Sequence, residues 1–326
     1  MKTPIKVLIT GATGSIAYSL LPMVASGQVF GSKQPLIIHL LARRVLPLKG
    51  VVMELEDCAY PLVRRIVATD NESVAFKDVD SVFMLASMPR HEGMQRKDLL
   101  EANVKICAAH GRALAKYASP NVRVLVVTNP CNTCALITAQ YASPGIPARN
   151  ITALTRLDHN RLVHQLAARH SVDDPGHISH VSVWGNHSST QFPDSSSACI
   201  DGESLPFKGH DTAFMNTVAN RGFAVIAARN NTSALSAAKG AADHMRDWWT
   251  GMCTTDWVSM GVLSDGNPYG APDGLVYSFP VTIDRETRDW KIVDSIRPDI
   301  KALQLLDTTG HELVNEKAEA LTLLEI

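Results

Sequence analysis

The stretch Lys6-Val-Leu-Ile-Thr-Gly11-Ala-Thr-Gly14-Ser-Ile-Ala17 decides the fold. Residues 6–10 predict a short apolar strand and residues 15–26 a helix, with both glycines in the turn between them. Gly11 permits a tight turn, Gly14 lets a bound group approach the backbone, and Ala17 allows the helix to pack closely on the strand. A glycine pattern alone often marks only a turn, so its position between a strand and a helix is what gives it weight.

The start of this helix predicts an anion site, because the first N–H groups of a helix lack partners within the helix. A strand, a glycine-rich turn and a helix in this order are typical of a dinucleotide-binding fingerprint. We therefore expect the turn to bind the pyrophosphate of a dinucleotide cofactor. The expected contacts are Gly11, Gly14, Ser15, Ile16 and Ala17.

Outward from this turn, the first half of the chain alternates apolar strands with helices. Further strands are predicted at residues 35–41, 81–86 and 122–127, and further helices at residues 51–60 and 98–117. Apolar strands separated by helices predict a parallel sheet that is covered on both faces. The predicted fold class is α/β, with a Rossmann doubly wound parallel sheet.

The second half predicts an α+β substrate or catalytic domain. Its predicted elements are a helix at residues 160–170, a β-rich run at 178–184, a long helical region at 211–251 and a final amphipathic helix. We expect a dinucleotide-binding domain at residues 1–153 and a substrate domain at residues 154–326. This boundary rests on the order of the motifs alone.

Composition excludes several classes of function. The 326 residues carry 31 basic and 32 acidic side chains, so no global field favours nucleic acid or an anionic membrane. No apolar run reaches the roughly 18 residues of a membrane span, and the first strand begins too early to leave room for a signal peptide. Six scattered cysteines predict a reduced, cytoplasmic protein. A lone Cys131-Asn-Thr-Cys134 is weak support for a zinc or redox site, so we expect no metal.

The second predicted strand ends in Leu40-Leu41-Ala42-Arg43-Arg44. NAD-binding sites usually place Asp or Glu here, where it accepts hydrogen bonds from the adenosine ribose. A carboxylate would repel a 2′-phosphate, whereas arginine binds one through charge-assisted hydrogen bonds. We therefore expect NADP to be preferred, through Arg43 and Arg44 beside Ala42. The alternative is a solvated basic loop that still accepts NAD.

Three charged segments suit the chemistry of a small dicarboxylate. Arg90 and Arg96 flank Gly93 in a loop that follows a predicted strand, and such a loop can close on an anion. Asp158 and Arg161 share one helix face, as an ordinary ion pair also would. His187 lies in the polar turn Gly185-Asn-His-Ser, where it could carry a proton. Each segment alone is weak, and their joint occurrence favours one site.

Six stretches resemble the cytosolic-type malate dehydrogenases of the lactate/malate dehydrogenase family, and they follow that family's order from residue 7 to about residue 285. They are Gly11-Ala-Thr-Gly-Ser-Ile-Ala-Tyr-Ser, Met53-Glu-Leu-Glu-Asp-Cys, Met88-Pro-Arg-His-Glu-Gly-Met-Gln-Arg-Lys-Asp-Leu-Leu, Thr155-Arg-Leu-Asp-His-Asn-Arg, Val183-Trp-Gly-Asn-His-Ser-Ser-Thr-Gln-Phe-Pro-Asp and Val276-Tyr-Ser-Phe-Pro-Val.

The resemblance implies hydride transfer between malate and a nicotinamide cofactor. It implies His187 as the general acid/base and Asp158 as its partner. Arg161 and Arg96 would hold the substrate carboxylate and carbonyl, and Arg90 would read the distal carboxylate. Asn129 would contact both substrate and cofactor. The other cofactor positions are Ala42, Asn103, His110, Val127 and Ser236.

The chain departs from the family pattern at two cofactor positions, with His110 where glutamine is expected and Thr128 where glycine is usual. The resemblance also implies a homodimer formed through the helix that carries Met53. Two alternatives stay open. One is a related 2-hydroxyacid dehydrogenase with another substrate, and the other is a non-catalytic nucleotide-binding protein that keeps the fold.

Overall fold

The computed structural model describes residues 2–88, 96–207, 209–252 and 256–324, and of Arg96 it describes the backbone. The strands are β1 Ile5–Thr10, β2 Leu36–Leu41, β3 Val63–Thr69, β4 Ser81–Met84, β5 Arg123–Val126, β6 Ile151–Ala153, β7 Ile178–Ser179, β8 Ser182–Trp184, β9 Phe192–Asp194, β10 Cys199–Ile200, β11 Glu203–Ser204, β12 Val258–Leu263, β13 Val276–Ile283 and β14 Trp290–Ile292. The α-helices are α1 Ser15–Ala25, α2 Val45–Asp57, α3 Glu72–Ala75, α4 Arg96–Tyr117, α5 Cys131–Ala142, α6 Arg156–His170, α7 Thr212–Ala219, α8 Arg221–Arg229, α9 Ala234–Thr250 and α10 Ile300–Leu323.

The main sheet of the described chain has the strand order β14-β13-β12-β6-β5-β4-β1-β2-β3. Its strands from β3 to β6 pair in parallel. They follow the spatial order 3-2-1-4-5-6 of a doubly wound dinucleotide-binding sheet, so the predicted Rossmann fold is confirmed. Strands β12, β13 and β14 continue the sheet in antiparallel pairing beyond β6.

Helices cover both faces of the sheet, because neighbouring residues of each central strand point to opposite sides. On β1, Val7 and Ile9 pack in the core layer that includes α1 and α9. Leu8 between them packs in the layer that includes α4 and α5. Burial on both faces explains why the three consecutive residues Val7, Leu8 and Ile9 are all apolar.

Several element bounds differ from the sequence prediction. Helix α2 begins at Val45 rather than near residue 51, because Pro47 lies in the first helical turn, where an N–H has no helical partner. The predicted strand at 178–184 is broken at His180, which has a φ of +58°. The helical region at 211–251 consists of α7, α8 and α9.

Strand β6 ends at Ala153, and Gly261 of β12 pairs with that residue, so the sheet continues across the expected boundary. A boundary at residue 153 therefore stays a prediction. Across the described ranges, we find no helix with both the length and the apolar character of a membrane span.

Candidate active site

The glycine turn lies at the carboxyl edge of the parallel sheet. The hydroxyl of Thr10 accepts hydrogen bonds from the amides of Leu85 and Ala86, at 3.1 and 3.0 Å, and so holds the segment after β4 against the end of β1. Gly11 has a φ of +64°, and a Cβ there would lie 2.8 Å from the Cα of Ala86. Glycine is therefore required at this position.

Helix α1 begins directly after Gly14 and has no side-chain cap. The amide of Gly14 donates to the carbonyl of Gly11 at 2.9 Å, which leaves the next three amides, of Ser15, Ile16 and Ala17, without helical acceptors. Ala17 is buried, as close helix packing requires. This end of the helix can accept a phosphate group.

The end of β2 presents two arginines to solvent. Ala42 is buried, and its amide donates to the carbonyl of Thr69 at 3.2 Å. Arg43 and Arg44 follow it and are exposed. Among the described residues neither guanidinium has a hydrogen bond or ion pair, so both are available to an anion.

Two buried polar groups join the ends of β4 and β5. Asn103 accepts from the amide of Met88 at 2.8 Å and donates to the carbonyl of Asn129 at 2.7 Å. The hydroxyl of Thr128 donates to the carbonyls of Met84 and Ala86. These bonds fix the backbone after β4 and after β5, and the side chain of Asn129 is exposed. Val127 is buried beside them.

Two further predicted cofactor residues have different surroundings. His110 is buried beneath α3, where its ring packs on Phe76 at 5.3 Å and its Nε2 lies 3.8 Å from a Glu72 oxygen. Burial lowers the pKa of His110 to about 4, so the ring is neutral. Ser236 is exposed on α9, and its hydroxyl donates to the carbonyl of Ser233 at 3.4 Å. Their roles toward a cofactor stay predictions.

His187, Asp158 and Arg161 meet in one cluster. Nδ1 of His187 makes a short hydrogen bond with one oxygen of Asp158, and Nη1 of Arg161 donates to the other at 3.2 Å. The Asp158 carboxylate is fully buried. Nε2 of His187 has no hydrogen bond among the described residues and is the nitrogen available to a substrate.

The electrostatics of the cluster favour a charged pair. Burial works to lower the pKa of His187, but the carboxylate of Asp158 outweighs it and raises that pKa above 6.5. Burial likewise works to raise the pKa of Asp158, but His187 and Arg161 together hold it below the ordinary value. The aspartate therefore stays ionised and stabilises an imidazolium beside it.

The turn that carries His187 is held by residues that sequence reasoning did not identify. Asn132 is fully buried on α5 and accepts from the amide of His187 at 3.0 Å. On α10, Thr309 accepts from the amide of Asn186 at 2.8 Å. Glu312 on the same helix receives hydrogen bonds from the side chains of Asn186, Ser188 and Thr190. No local motif marks these residues, because each acts from a distant segment.

Arg161 also faces the wall of the cleft formed by α8 and the start of α9. Its Nη2 donates to the hydroxyl of Ser233 at 3.3 Å, and a Cβ added at Gly222 would lie 3.6 Å from the same nitrogen. Position 222 therefore lies in van der Waals contact distance of the guanidinium group. Arg90 and the side chain of Arg96 lie outside the described residues.

The glycine turn follows the carboxyl end of β1, and α6, which carries Asp158 and Arg161, follows the carboxyl end of β6, so both lie at the same edge of the main sheet. His187 comes from the separate β8–β9 hairpin and is held at this edge by its hydrogen bond to Asn132 at the start of α5. A histidine paired with a buried carboxylate, an arginine beside it and a glycine turn at a helix start form an arrangement that suits proton transfer next to a bound dinucleotide. Among the described residues, no group of three or more His, Cys, Asp or Glu side chains could hold a metal ion.

Comparison with known proteins assigns the family. Residues 5–152 match the model described as lactate/malate dehydrogenase, NAD binding domain, and residues 155–323 match lactate/malate dehydrogenase, alpha/beta C-terminal domain. The chain therefore belongs to the lactate/malate dehydrogenase family.

Individual relatives are similar to this protein along nearly its whole chain. Cytoplasmic malate dehydrogenase of Felis catus is 48% identical, with 99% of each chain covered. The structure of malate dehydrogenase from Naegleria fowleri is 38% identical, with a TM-score of 0.92 and 99% of each chain covered. Lactate dehydrogenase of Trichomonas vaginalis, solved with NADH and oxamate, is 35% identical with a TM-score of 0.93, covering 98% of this chain and 99% of that one. The expected cytoplasmic location agrees with the name of the first relative.

Proposed function

We propose that this protein is a malate dehydrogenase that interconverts malate and oxaloacetate with NADP in preference to NAD. The observation that carries the proposal is the buried cluster of His187, Asp158 and Arg161 at the cofactor edge of the sheet. The 48% identity to a relative named cytoplasmic malate dehydrogenase supports the choice of substrate.

The residues of the glycine turn fit a dinucleotide. A side chain at Gly11 would collide with the backbone of Ala86, and three amides at the start of α1 lack helical acceptors. These amides would hold the pyrophosphate, while Asn103 and Thr128 keep the neighbouring backbone in place. When bound, the nicotinamide supplies the hydride acceptor for malate oxidation and the hydride donor for oxaloacetate reduction.

Preference for NADP is supported by the exposed guanidinium groups of Arg43 and Arg44, which have no ion pair or hydrogen bond within the described part of the chain. Each can donate two parallel hydrogen bonds to a 2′-phosphate. No carboxylate follows β2 to take the ribose hydroxyls of NAD. NAD has a neutral 2′-hydroxyl in place of this phosphate and so makes no ion pair with the arginines. NAD should therefore bind less tightly than NADP.

In malate oxidation, Nε2 of His187 takes the proton of the substrate hydroxyl as the C2 hydride departs. Asp158 keeps the other ring nitrogen protonated and stabilises the imidazolium that forms. Arg161 binds the carboxylate next to the reacting carbon through its fork. By family resemblance, Arg96 polarises the carbonyl in the reverse direction, Arg90 holds the distal carboxylate and Asn129 contacts substrate and cofactor.

A second candidate function is lactate dehydrogenase, because the Trichomonas vaginalis relative with that name has a TM-score of 0.93. Arg90 favours the dicarboxylate, since a monocarboxylate has no second charge for it to bind. The test is to compare initial rates of oxaloacetate and pyruvate reduction. We expect oxaloacetate to be the better substrate and Arg90→Leu to reverse the order. Faster reduction of pyruvate by the unmodified protein would refute the substrate assignment.

The homodimer also belongs to this proposal. It is supported by apolar side chains that the isolated chain exposes on α2, where Leu46 is 80% and Met53 61% accessible. Leu235 at the start of α9 is exposed to a similar degree. Leu46 and Met53 are seven residues apart and so share one face of α2, and an exposed apolar helix face is typical of a protein interface. We also propose two domains, with the boundary at residue 153.

A further inference from the structure

A second cluster of charged residues lies at the opposite edge of the sheet from the active site. It lines a cavity of about 310 Å³ formed by the amino ends of β5 and β6, the end of α9 and the turn between β13 and β14. Its charged residues are Arg123, Arg149, Arg288 and Asp289. The active site follows the carboxyl ends of the parallel strands, so the two sites are separated by the length of those strands.

Arg123 and Arg288 lie against indole rings. The guanidinium carbon of Arg123 lies 5.8 and 5.3 Å from the ring centres of Trp248 and Trp249. The guanidinium carbon of Arg288 lies 5.7 Å from the same Trp249 ring. Such cation–π contacts hold both guanidinium groups against the rings while their N–H groups can still donate hydrogen bonds.

The positive charge of this cluster is not neutralised within the described chain. Asp289 is the acid of the cavity lining, and it lies 3.6 Å from Arg149. Arg123 and Arg288 have neither a hydrogen bond to a side chain nor an ion pair in the described ranges. Burial, followed by the charge of Arg288, lowers the pKa of Arg123, and the opposing effect of Asp289 is too small to cancel them.

The shape of the cavity limits what it can hold. Its volume is at the lower end of small-molecule sites and is too small for a whole dinucleotide. Asn121 and Asn150 add amide donors to the lining. Guanidinium and amide donors around flat indole walls suit oxygen atoms that share a negative charge.

We propose that this arginine–tryptophan cavity is a second anion site, which binds a small, multiply charged oxyanion bearing phosphoryl or carboxylate groups. The proposal is independent of the active-site chemistry. It requires at least two charges on the ligand, because the lining contains three arginines and one acid, Asp289.

The test is calorimetric titration of the full-length protein saturated with NADPH, so that the cofactor phosphate site is already filled. Pyrophosphate is the probe in one arm and benzene-1,3,5-tricarboxylate in the other, and quenching of tryptophan fluorescence provides a second readout. We expect saturable binding of one ligand per chain in at least one arm. The arm that binds identifies the phosphoryl or the carboxylate class.

Two variants locate the site. Arg288→Gln, in the turn between β13 and β14, and Arg123→Gln should each weaken binding about tenfold or more, the loss expected for one charge-assisted contact. The matched control is Arg169→Gln. Like Arg123 and Arg288, Arg169 lies over an aromatic ring, here that of Phe214, but it is not part of the cavity and pairs with Asp211. It should bind as the unmodified protein does.

Three results would overturn the proposal. One is the lack of saturable binding in both arms. Another is unchanged binding in both Arg288→Gln and Arg123→Gln. The third is loss of binding in an Arg43→Ala, Arg44→Ala double variant, which would locate the anion in the cofactor region instead.

Discussion

Asp158→Asn removes the negative charge that stabilises protonated His187 while keeping the size of the side chain. In the structure, one carboxylate oxygen of Asp158 faces Arg161 and the other faces Nδ1 of His187. Arg161 has only donors to offer, so it should select the oxygen of the new amide. The NH2 group then faces His187 and forces Nδ1 to act as an acceptor, which moves the imidazole proton to Nε2. That tautomer cannot accept a proton from malate.

The size of the effect follows from two losses. The neutral imidazole has the wrong tautomer, and the imidazolium loses its buried counter-ion while Arg161 remains nearby and unfavourable. Together these should lower kcat for malate oxidation by about 10³- to 10⁴-fold. This corresponds to about 4–5.5 kcal/mol of transition-state stabilisation. KM for the cofactor should stay unchanged, because Asp158 does not face the glycine turn.

The assay is steady-state malate oxidation followed by cofactor absorbance, with circular dichroism as a check on folding. Asp247→Asn is the matched control, since Asp247 also pairs with a half-buried arginine, Arg156, but lies away from His187. It should lower thermal stability and keep kcat. A loss in kcat for Asp158→Asn of less than about tenfold would refute the role given to the aspartate.

Three further predictions follow from the same site. At saturating cofactor, kcat/KM for malate should fall as pH drops through the pKa of His187, which lies above 6.5, because the neutral imidazole is the base. For oxaloacetate, kcat/KM should fall as pH rises through the same pKa, because the imidazolium is the acid. A controlling pKa below 6.5 in both directions would contradict this assignment. Glu312→Gln should lower kcat about 10- to 100-fold by loosening the His187 turn, with the KM for cofactor unchanged. The control Glu319→Gln, on the exposed face of α10, should have no effect. Equal kcat values for the two variants would contradict the role given to Glu312. Met53→Asp should convert the dimer to monomer in sedimentation velocity, whereas Leu303→Asp on exposed α10 should not; a Met53→Asp dimer, or a monomeric unmodified protein, would contradict the proposed interface.

The fold could be predicted where local sequence fixes local geometry. Gly11 and Gly14 lie in the turn between β1, which ends at Thr10, and α1, which begins at Ser15. The order of strand, glycine turn and helix along the chain therefore predicted the local structure directly. The bounds of α2 were predicted less well, because Pro47 suggests a break from sequence alone but is acceptable in the first turn of a helix.

The site could be predicted only in part. Asp158 and Arg161 share a helix face, so their pairing is a local property. The hydrogen bond from His187 to Asn132 spans 55 positions, and that from Ser188 to Glu312 spans 124. Contacts between such distant segments depend on how the sheet and α10 pack together, and no spacing rule in one sequence encodes them.

The most direct test of the central claim is oxaloacetate reduction by the purified protein with NADPH and NADH measured side by side. We expect activity with both cofactors and a clear advantage for NADPH in kcat/KM. In an Arg43→Ala, Arg44→Ala double variant, KM for NADPH should rise about 10- to 100-fold, while KM for NADH stays nearly constant. Equal or better use of NADH by the unmodified protein would contradict the cofactor assignment, and no reduction of oxaloacetate with either cofactor would contradict the proposed activity itself.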